Sequence, residues 1–123
     1  MNGLHILAEF HGCTCAEVLL TRVDSLQALC LAACSEPGLT VVAQAFHGFG
    51  SEAAPAGATG AVVLAESHLA VHTWPERAAA TLDIYVCNFS QDNRSAAEAA
   101  YRYLEQAFKP TRVVRRDIER GGT

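Results

Sequence analysis

Four strand-like segments follow one another in the middle of this sequence, without a helical pattern between them. They cover residues 39–46, 60–66, 68–74 and 81–87 and are rich in apolar and β-branched residues. Parallel neighbours would each need a crossover of a dozen or more residues, whereas antiparallel neighbours need only a short turn. Two further segments, 3–10 and 112–118, are also strand-like. The pattern therefore predicts a mainly antiparallel sheet.

One helix is predicted on each side of this central block. The first ends before Pro37 and the second before Pro110. Strands bunched between helices favour an α+β fold, and we predict a two-layer sandwich with both helices on one face of the sheet. A chain of 123 residues fits a single domain, 1–123, with its own core. Residues 48–60, with four glycines and a proline, are predicted to form a flexible loop. The apolar stripes of the two helices are Leu26, Leu29, Cys30 and Ala33, and then Ala97, Ala100, Tyr101, Leu104 and Phe108.

Composition excludes several classes of function. A net charge of −4 argues against a general nucleic-acid binder, because phosphate contacts need a cationic surface. We expect no membrane partner, since no apolar run is long enough to cross a bilayer and the first residues lack a secretory pattern. Five cysteines without framework spacing indicate the reducing cytoplasm. His11, Cys13 and Cys15 lack a second pair that would complete four ligands, so we expect no metal.

The strand period sorts the reactive side chains onto one face. In 68–74, His68 and His72 alternate with apolar residues, and in 82–87 the residues Asp83, Tyr85 and Cys87 do the same. The apolar sets suit the helices, so the reactive sets are expected to share the other face of the sheet. Each of these residues alone is more often structural than catalytic. Together they indicate a site, an interface or both.

Ser67 is the most informative residue, because a serine is out of place in an apolar strand unless it is satisfied or used. It follows Glu66 and precedes His68. Alternation puts Ser67 on the face opposite to His72, so an intact strand cannot present the two as a ready pair. Either the 66–68 junction bends, or cleavage frees the residue.

The string Glu66-Ser67-His68, then His72-Thr73-Trp74-Pro75-Glu76 and finally Leu82 to Cys87, resembles the bacterial pyruvoyl-dependent S-adenosylmethionine decarboxylases. The resemblance runs over nearly the whole chain and includes the opening segment 3–10 and the pair Phe46-His47.

This resemblance implies a proenzyme that cuts itself between Glu66 and Ser67. The Ser67 hydroxyl would attack the Glu66 carbonyl, and Ser67 would become a covalent pyruvoyl group that accepts the substrate amine as a Schiff base and serves as an electron sink. His72 would be the processing residue, and Cys87 would return a proton to the substrate carbanion.

Further expectations follow from the same resemblance. Glu76 and Phe49 would contact the small-molecule substrate, and the product would serve polyamine synthesis. The helix-free sheet face would pack against a second copy, giving a homodimer of cleaved protomers.

Two departures leave the substrate open. The stretch 48–60 is longer than the loop usual in the family, and Cys87 is followed by Asn88-Phe89 where glycine is common. Ornithine or arginine is therefore an alternative substrate, with Glu52 meeting its cationic side chain. Two other functions remain: a non-catalytic dimerisation module, and a thiol hydrolase built from Cys87, His72 and Asp83.

Overall fold

The structure is a computed structural model that describes residues 2–88 and 91–121. Nine elements of strand or α-helix follow one another in this part of the chain. They are β1 (Gly3–His11), α1 (Glu17–Thr21), α2 (Val23–Ser35), β2 (Val41–Gly50), β3 (Pro55–Leu64), β4 (Ser67–Trp74), β5 (Ala79–Cys87), α3 (Arg94–Phe108) and β6 (Arg112–Arg120), with a 3-10 turn, Pro75–Arg77, between β4 and β5.

The six strands form one sheet in the order β2-β3-β4-β5-β1-β6, and every neighbouring pair is antiparallel. The α+β prediction is therefore confirmed. The two predicted helices correspond to α2 and α3. The described residues add a third, the single-turn helix α1, which directly precedes α2 and is too short to show a periodic apolar stripe.

The prediction of a flexible loop over 48–60 is wrong. Strand β2 continues to Gly50 and β3 begins at Pro55, so only a short turn at 51–54 joins them. The glycine content misled the prediction, because some of these glycines serve close packing rather than flexibility. At Gly60, which pairs with Phe46, an added Cβ would lie 2.0 Å from Cδ2 of the Phe46 ring.

The core lies between the helices and the inner face of the sheet, which we define as the face that α2 and α3 cover. The Phe10 ring lies 5.8 Å from the Phe108 ring and 5.9 Å from the Tyr101 ring, centroid to centroid. Cys30 and Cys34 of α2 are buried in this core as small apolar residues. Burial raises the pKa of both thiols, that of Cys34 to about 11.

Ion pairs hold strand β6 to α3, and the more buried of them is formed by Arg115. Two nitrogens of Arg115 donate to the Glu98 carboxylate at 2.7 and 2.8 Å, and the guanidinium lies 4.3 Å from the centre of the Tyr101 ring. These hydrogen bonds lower the pKa of Glu98 below its usual range. The arginines near the C-terminus thus belong in part to the scaffold.

The opposite, outer face of the sheet carries no helix in the described residues. It exposes apolar side chains from four strands beside its polar ones, and these are Leu7, Val63, Trp74 and Ile118. Scattered apolar residues are normal on a surface, but a set shared by one open sheet face suits a protein interface. As for membranes, none of the helices described here has the length and apolarity that a bilayer span requires.

Candidate active site

The peptide bond predicted to be cut lies at the end of a tight turn. Leu64 of β3 pairs with Ser67 of β4, so Ala65 and Glu66 form a two-residue hairpin loop. Such loops favour residues that adopt positive φ, usually glycine or asparagine. Here Glu66 has φ of 69°, a left-handed conformation that is costly for a residue with a Cβ. Backbone strain is therefore present immediately before Ser67.

Ser67 lies beside Cys87, although the sequence separates them by twenty residues. The Cys87 backbone N–H donates to the Ser67 hydroxyl oxygen at 3.3 Å, and the two residues are only 8% and 7% exposed. The Cys87 carbonyl accepts a hydrogen bond from Nδ2 of Asn93 at 2.9 Å. The backbone of Cys87 thus lies beside the hydroxyl of Ser67.

Sequence reasoning missed Asn93, which anchors the end of β5. Besides bonding to Cys87, its backbone N–H donates to Oδ1 of Asn88 at 2.8 Å. Asn88, one of the departures from the family pattern, therefore has a structural role beside the site. Phe89, the second residue of the same departure, lies outside the described residues.

His72 lies near the other end of β4 with a threonine as its partner. Thr59 of β3 pairs directly with His72, and its hydroxyl lies 2.5 Å from Nδ1 of the imidazole. Sequence reasoning missed Thr59 as well, because only the strand register puts these two residues side by side. The hydrogen bond fixes the rotation of the imidazole ring.

One chain does not bring His72 to Ser67. Five residues along a strand span roughly 16 Å. In addition, Ser67 is buried toward the inner face, with Leu69 and Val71, whereas His72 is exposed on the outer face. The separation expected from strand alternation is confirmed.

A groove of about 500 Å³ is lined by His72 and by both residues predicted to contact the substrate. Phe49 and Trp74 contribute aromatic surface, and Glu76 contributes a carboxylate. The Trp74 ring lies 5.9 Å from the His72 ring, and Phe49 is in edge contact with His47 at 5.0 Å. This arrangement suits a ligand that has both a flat ring and polar groups.

The remaining outer-face residues form a separate cluster. Oδ2 of Asp83 lies 2.9 Å from Nε2 of His5 and 3.3 Å from Nε2 of His68. Within the described residues Asp83 makes no hydrogen bond to His72, which instead contacts Thr59. A thiol-hydrolase triad of Cys87, His72 and Asp83 is therefore not assembled in one chain.

Glu52, the residue considered for a basic amino acid, lies away from the groove. It is at the tip of the β2–β3 hairpin and forms an ion pair with Arg22 at 3.5 Å. Its charge is thus already balanced by the chain itself.

The hydrogen bond between Thr59 and His72 can be tested by substitution. Thr59→Val keeps the shape of the side chain but removes its hydroxyl. We therefore expect kcat/KM for the expected decarboxylation to fall about tenfold, the equivalent of one hydrogen bond. Thr81→Val is the matched control, because Thr81 flanks His72 on the other side, in β5. Equal losses in steady-state assays of both variants would show that the bond has no special role.

Comparison with known proteins agrees with this geometry. The S-adenosylmethionine decarboxylase family model matches residues 4–121. The S-adenosylmethionine decarboxylase proenzyme of Picrophilus torridus is 38% identical over 119 residues, which cover 97% of this chain and 84% of that protein. The proenzyme of Moorella thermoacetica is 37% identical and covers 97% and 87%. The crystal structure of the adenosylmethionine decarboxylase from Aquifex aeolicus superposes with a TM-score of 0.84 at 34% identity, covering 98% of this chain and 92% of that one. The chain therefore belongs to the S-adenosylmethionine decarboxylase family.

Proposed function

We propose that this chain decarboxylates S-adenosylmethionine for polyamine synthesis, with a pyruvoyl group that it makes from its own Ser67. The observation that carries the proposal is the strained Glu66 directly before a serine that contacts Cys87. Membership of the family supports the reaction, and this geometry supports the proposed residues.

Self-processing uses groups that the turn already holds together. The Ser67 oxygen attacks the Glu66 carbonyl carbon, which converts the peptide amide into an ester and leaves the Ser67 nitrogen as an amine. Elimination then breaks the ester, with loss of the Ser67 Cα proton, and frees the Glu66 carboxylate. Water replaces the nitrogen at residue 67, which leaves as ammonia. The left-handed backbone of Glu66 favours the attack, because cleavage releases its strain.

The surroundings of Ser67 fit such a group. When it is bound, a pyruvoyl group supplies a ketone that holds the substrate amine and withdraws electrons from the bond to the carboxylate. Cys87 is on the strand next to residue 67, its backbone contacts the Ser67 hydroxyl, and its thiol is the proposed group that returns a proton to the substrate carbon.

The groove at His72 is the proposed binding site for the adenine and ribose of the substrate. Phe49 and Trp74 can stack against a flat adenine, and Glu76 offers acceptor oxygens to the ribose hydroxyls. S-Adenosylmethionine has these parts, whereas ornithine and arginine lack the planar base.

A second copy of the chain is needed to join the two halves of the site. The groove and His72 lie at the opposite end of β4 from residue 67, too far apart within one protomer. In the proposed dimer a two-fold axis packs the outer faces together and lays the His72 end of one protomer beside the β4 end of its partner at which residue 67 lies. Cleavage frees residue 67 from the turn, so that it can cross from the inner to the outer face. The apolar residues exposed on that face, Leu7 and Ile118 among them, would become buried. We therefore propose a homodimer with two shared sites.

The proposed compartment is the cytoplasm. All five cysteines lie in the described residues and are free thiols, as expected for a protein kept reduced. The proposed partners are the small-molecule substrate and the second copy.

Intact mass and substrate turnover together test the proposal. We expect purified protein to contain two fragments, residues 1–66 unmodified and residues 67–123 with a blocked N-terminus. The same preparation should release carbon dioxide from S-adenosylmethionine and not from ornithine or arginine. A chain that stays uncut on prolonged incubation would contradict the self-processing, and turnover of ornithine or arginine alone would reverse the substrate assignment.

A further inference from the structure

The cluster of His5, His68 and Asp83 has no part in the reaction proposed above, yet its chemistry is specific. The three residues come from three adjacent strands, β1, β4 and β5, and all three side chains point to the outer face. Their ligand atoms, two imidazole Nε2 atoms and one carboxylate oxygen, all lie within 4.8 Å of one another. In the described part of the chain, this is the one group of three such residues that converges in this way.

Two of the three distances between the ligand atoms are close to those that a tetrahedral ion imposes, and the third, between the two Nε2 atoms, is within 4.8 Å. Ligand atoms at 2.0–2.1 Å from zinc, on the corners of a tetrahedron, are roughly 3.3 Å apart. Oδ2 of Asp83 lies 2.9 Å from Nε2 of His5 and 3.3 Å from Nε2 of His68. Small rotations of the side chains are therefore enough to admit an ion.

The neighbours of the cluster leave a fourth position open. His5 and His68 flank Tyr85 in register, and Asp83 lies two residues before it on β5. The His5 and His68 rings meet edge to face at 5.9 Å, so neither imidazole blocks the other. The side chains of His5, His68 and Asp83 are 19%, 41% and 31% exposed in the single chain, so the fourth ligand can come from water or, in the proposed dimer, from the partner's outer face.

One contact in the structure competes with an ion. Nη1 of Arg120 lies 3.4 Å from Nδ1 of His5, a long hydrogen bond in which the imidazole nitrogen accepts. An ion bound at Nε2 would shift the His5 proton to Nδ1, where it would face the donor group of Arg120. Arg120 lies on the edge strand β6 and can turn away, but its charge would still weaken binding.

From this arrangement we propose that His5, His68 and Asp83 form a binding site for a divalent transition-metal ion of the zinc type. Two imidazoles and a carboxylate with an open fourth position form a donor set common to zinc sites. The ion would join β1, β4 and β5 on the outer face. One of its ligands, His68, directly follows Ser67 in the sequence. The site exists in the uncut chain, so it does not depend on the proposed decarboxylation.

Metal titration of the full-length, chelator-treated protein tests the site. Calorimetry with Zn²⁺ should give one ion per chain, and Co²⁺ should give the visible absorption of a tetrahedral complex. Asp83→Asn and His68→Gln should each weaken Zn²⁺ binding about 100-fold or more, because each removes a ligand. His11→Gln is the matched control: His11 is also on β1 and also contacts a carboxylate, Glu9, at 2.9 Å, but it belongs to no group of three metal ligands among the residues that the structure describes.

Two further variants make the result decisive. Arg120→Ala should strengthen Zn²⁺ binding severalfold, whereas Arg112→Ala on the same strand should not, since only Arg120 contacts His5. Ser67→Ala should bind Zn²⁺ as the wild type does, which separates this proposal from the proposed function. If the wild type binds no stoichiometric ion, or if Asp83→Asn binds as tightly, the site does not exist. The Co²⁺ spectrum of the wild type decides the question even if a variant does not fold.

Discussion

Replacing Ser67 with alanine is expected to leave the chain uncut and without decarboxylase activity. Alanine has no oxygen to attack the Glu66 carbonyl, and residue 67 cannot become a ketone. Decarboxylase activity should fall below the detection limit of the assay. The Ser67 hydroxyl oxygen is needed to form the pyruvoyl group, and every turnover needs that group as the electron sink. Folding should survive, since within the described residues the Ser67 hydroxyl receives one long hydrogen bond, from the Cys87 backbone N–H.

The measurement is intact mass followed by release of labelled carbon dioxide. Ser35→Ala is the control, because Ser35 is exposed at the end of α2 and alanine is a better helix former. A Ser67→Ala protein that is still cut and active would show that another residue supplies the nucleophile. Loss of helical circular dichroism in that variant would instead indicate misfolding.

Co-expression of two inactive chains is expected to restore activity if the sites are shared between protomers. One chain carries Ser67→Ala and the other His72→Ala, and each alone should be inactive. In the mixed dimer one site combines Ser67 of one chain with His72 of the other, while the second site carries both defects. Isolated mixed dimers should therefore reach about half the wild-type activity, as expected for one intact site out of two related by symmetry.

Two different affinity tags allow the mixed dimers to be purified in two steps. Fragment masses should show that only the His72→Ala chain is cut, because the other chain has no serine at position 67. A control that pairs two differently tagged Ser67→Ala chains should remain inactive. Mixed dimers without any activity would show that His72 acts within its own chain, and the shared site would be abandoned.

The sequence predicted most of the sheet because alternation and turns are local properties. The faces of β4 followed from alternation alone, and the burial of Leu69 and Val71 confirms them. The resemblance also led to the family, which the comparisons confirm. The loop over 48–60 failed because glycine content does not distinguish flexibility from close packing, as Gly60 against Phe46 shows.

Other parts of the site depend on strand register, which a single sequence does not reveal. Thr59 meets His72 only because β3 and β4 pair with that offset. Similarly, His5 reaches Asp83 across 78 positions because β1 is inserted beside β5. The positive φ of Glu66 was also beyond prediction, since glutamate has no preference for that conformation.

The strand order has a consequence for the cleaved protein. Residues 1–66 supply β1, β2 and β3, and residues 67–123 supply β4, β5 and β6, yet β1 lies between β5 and β6. The two fragments are thus interleaved through three strand pairings: β3 with β4, β5 with β1, and β1 with β6. After the proposed cleavage, neither fragment could leave without dismantling the sheet. The same pairings can keep the new terminus at residue 67 in place without a covalent connection.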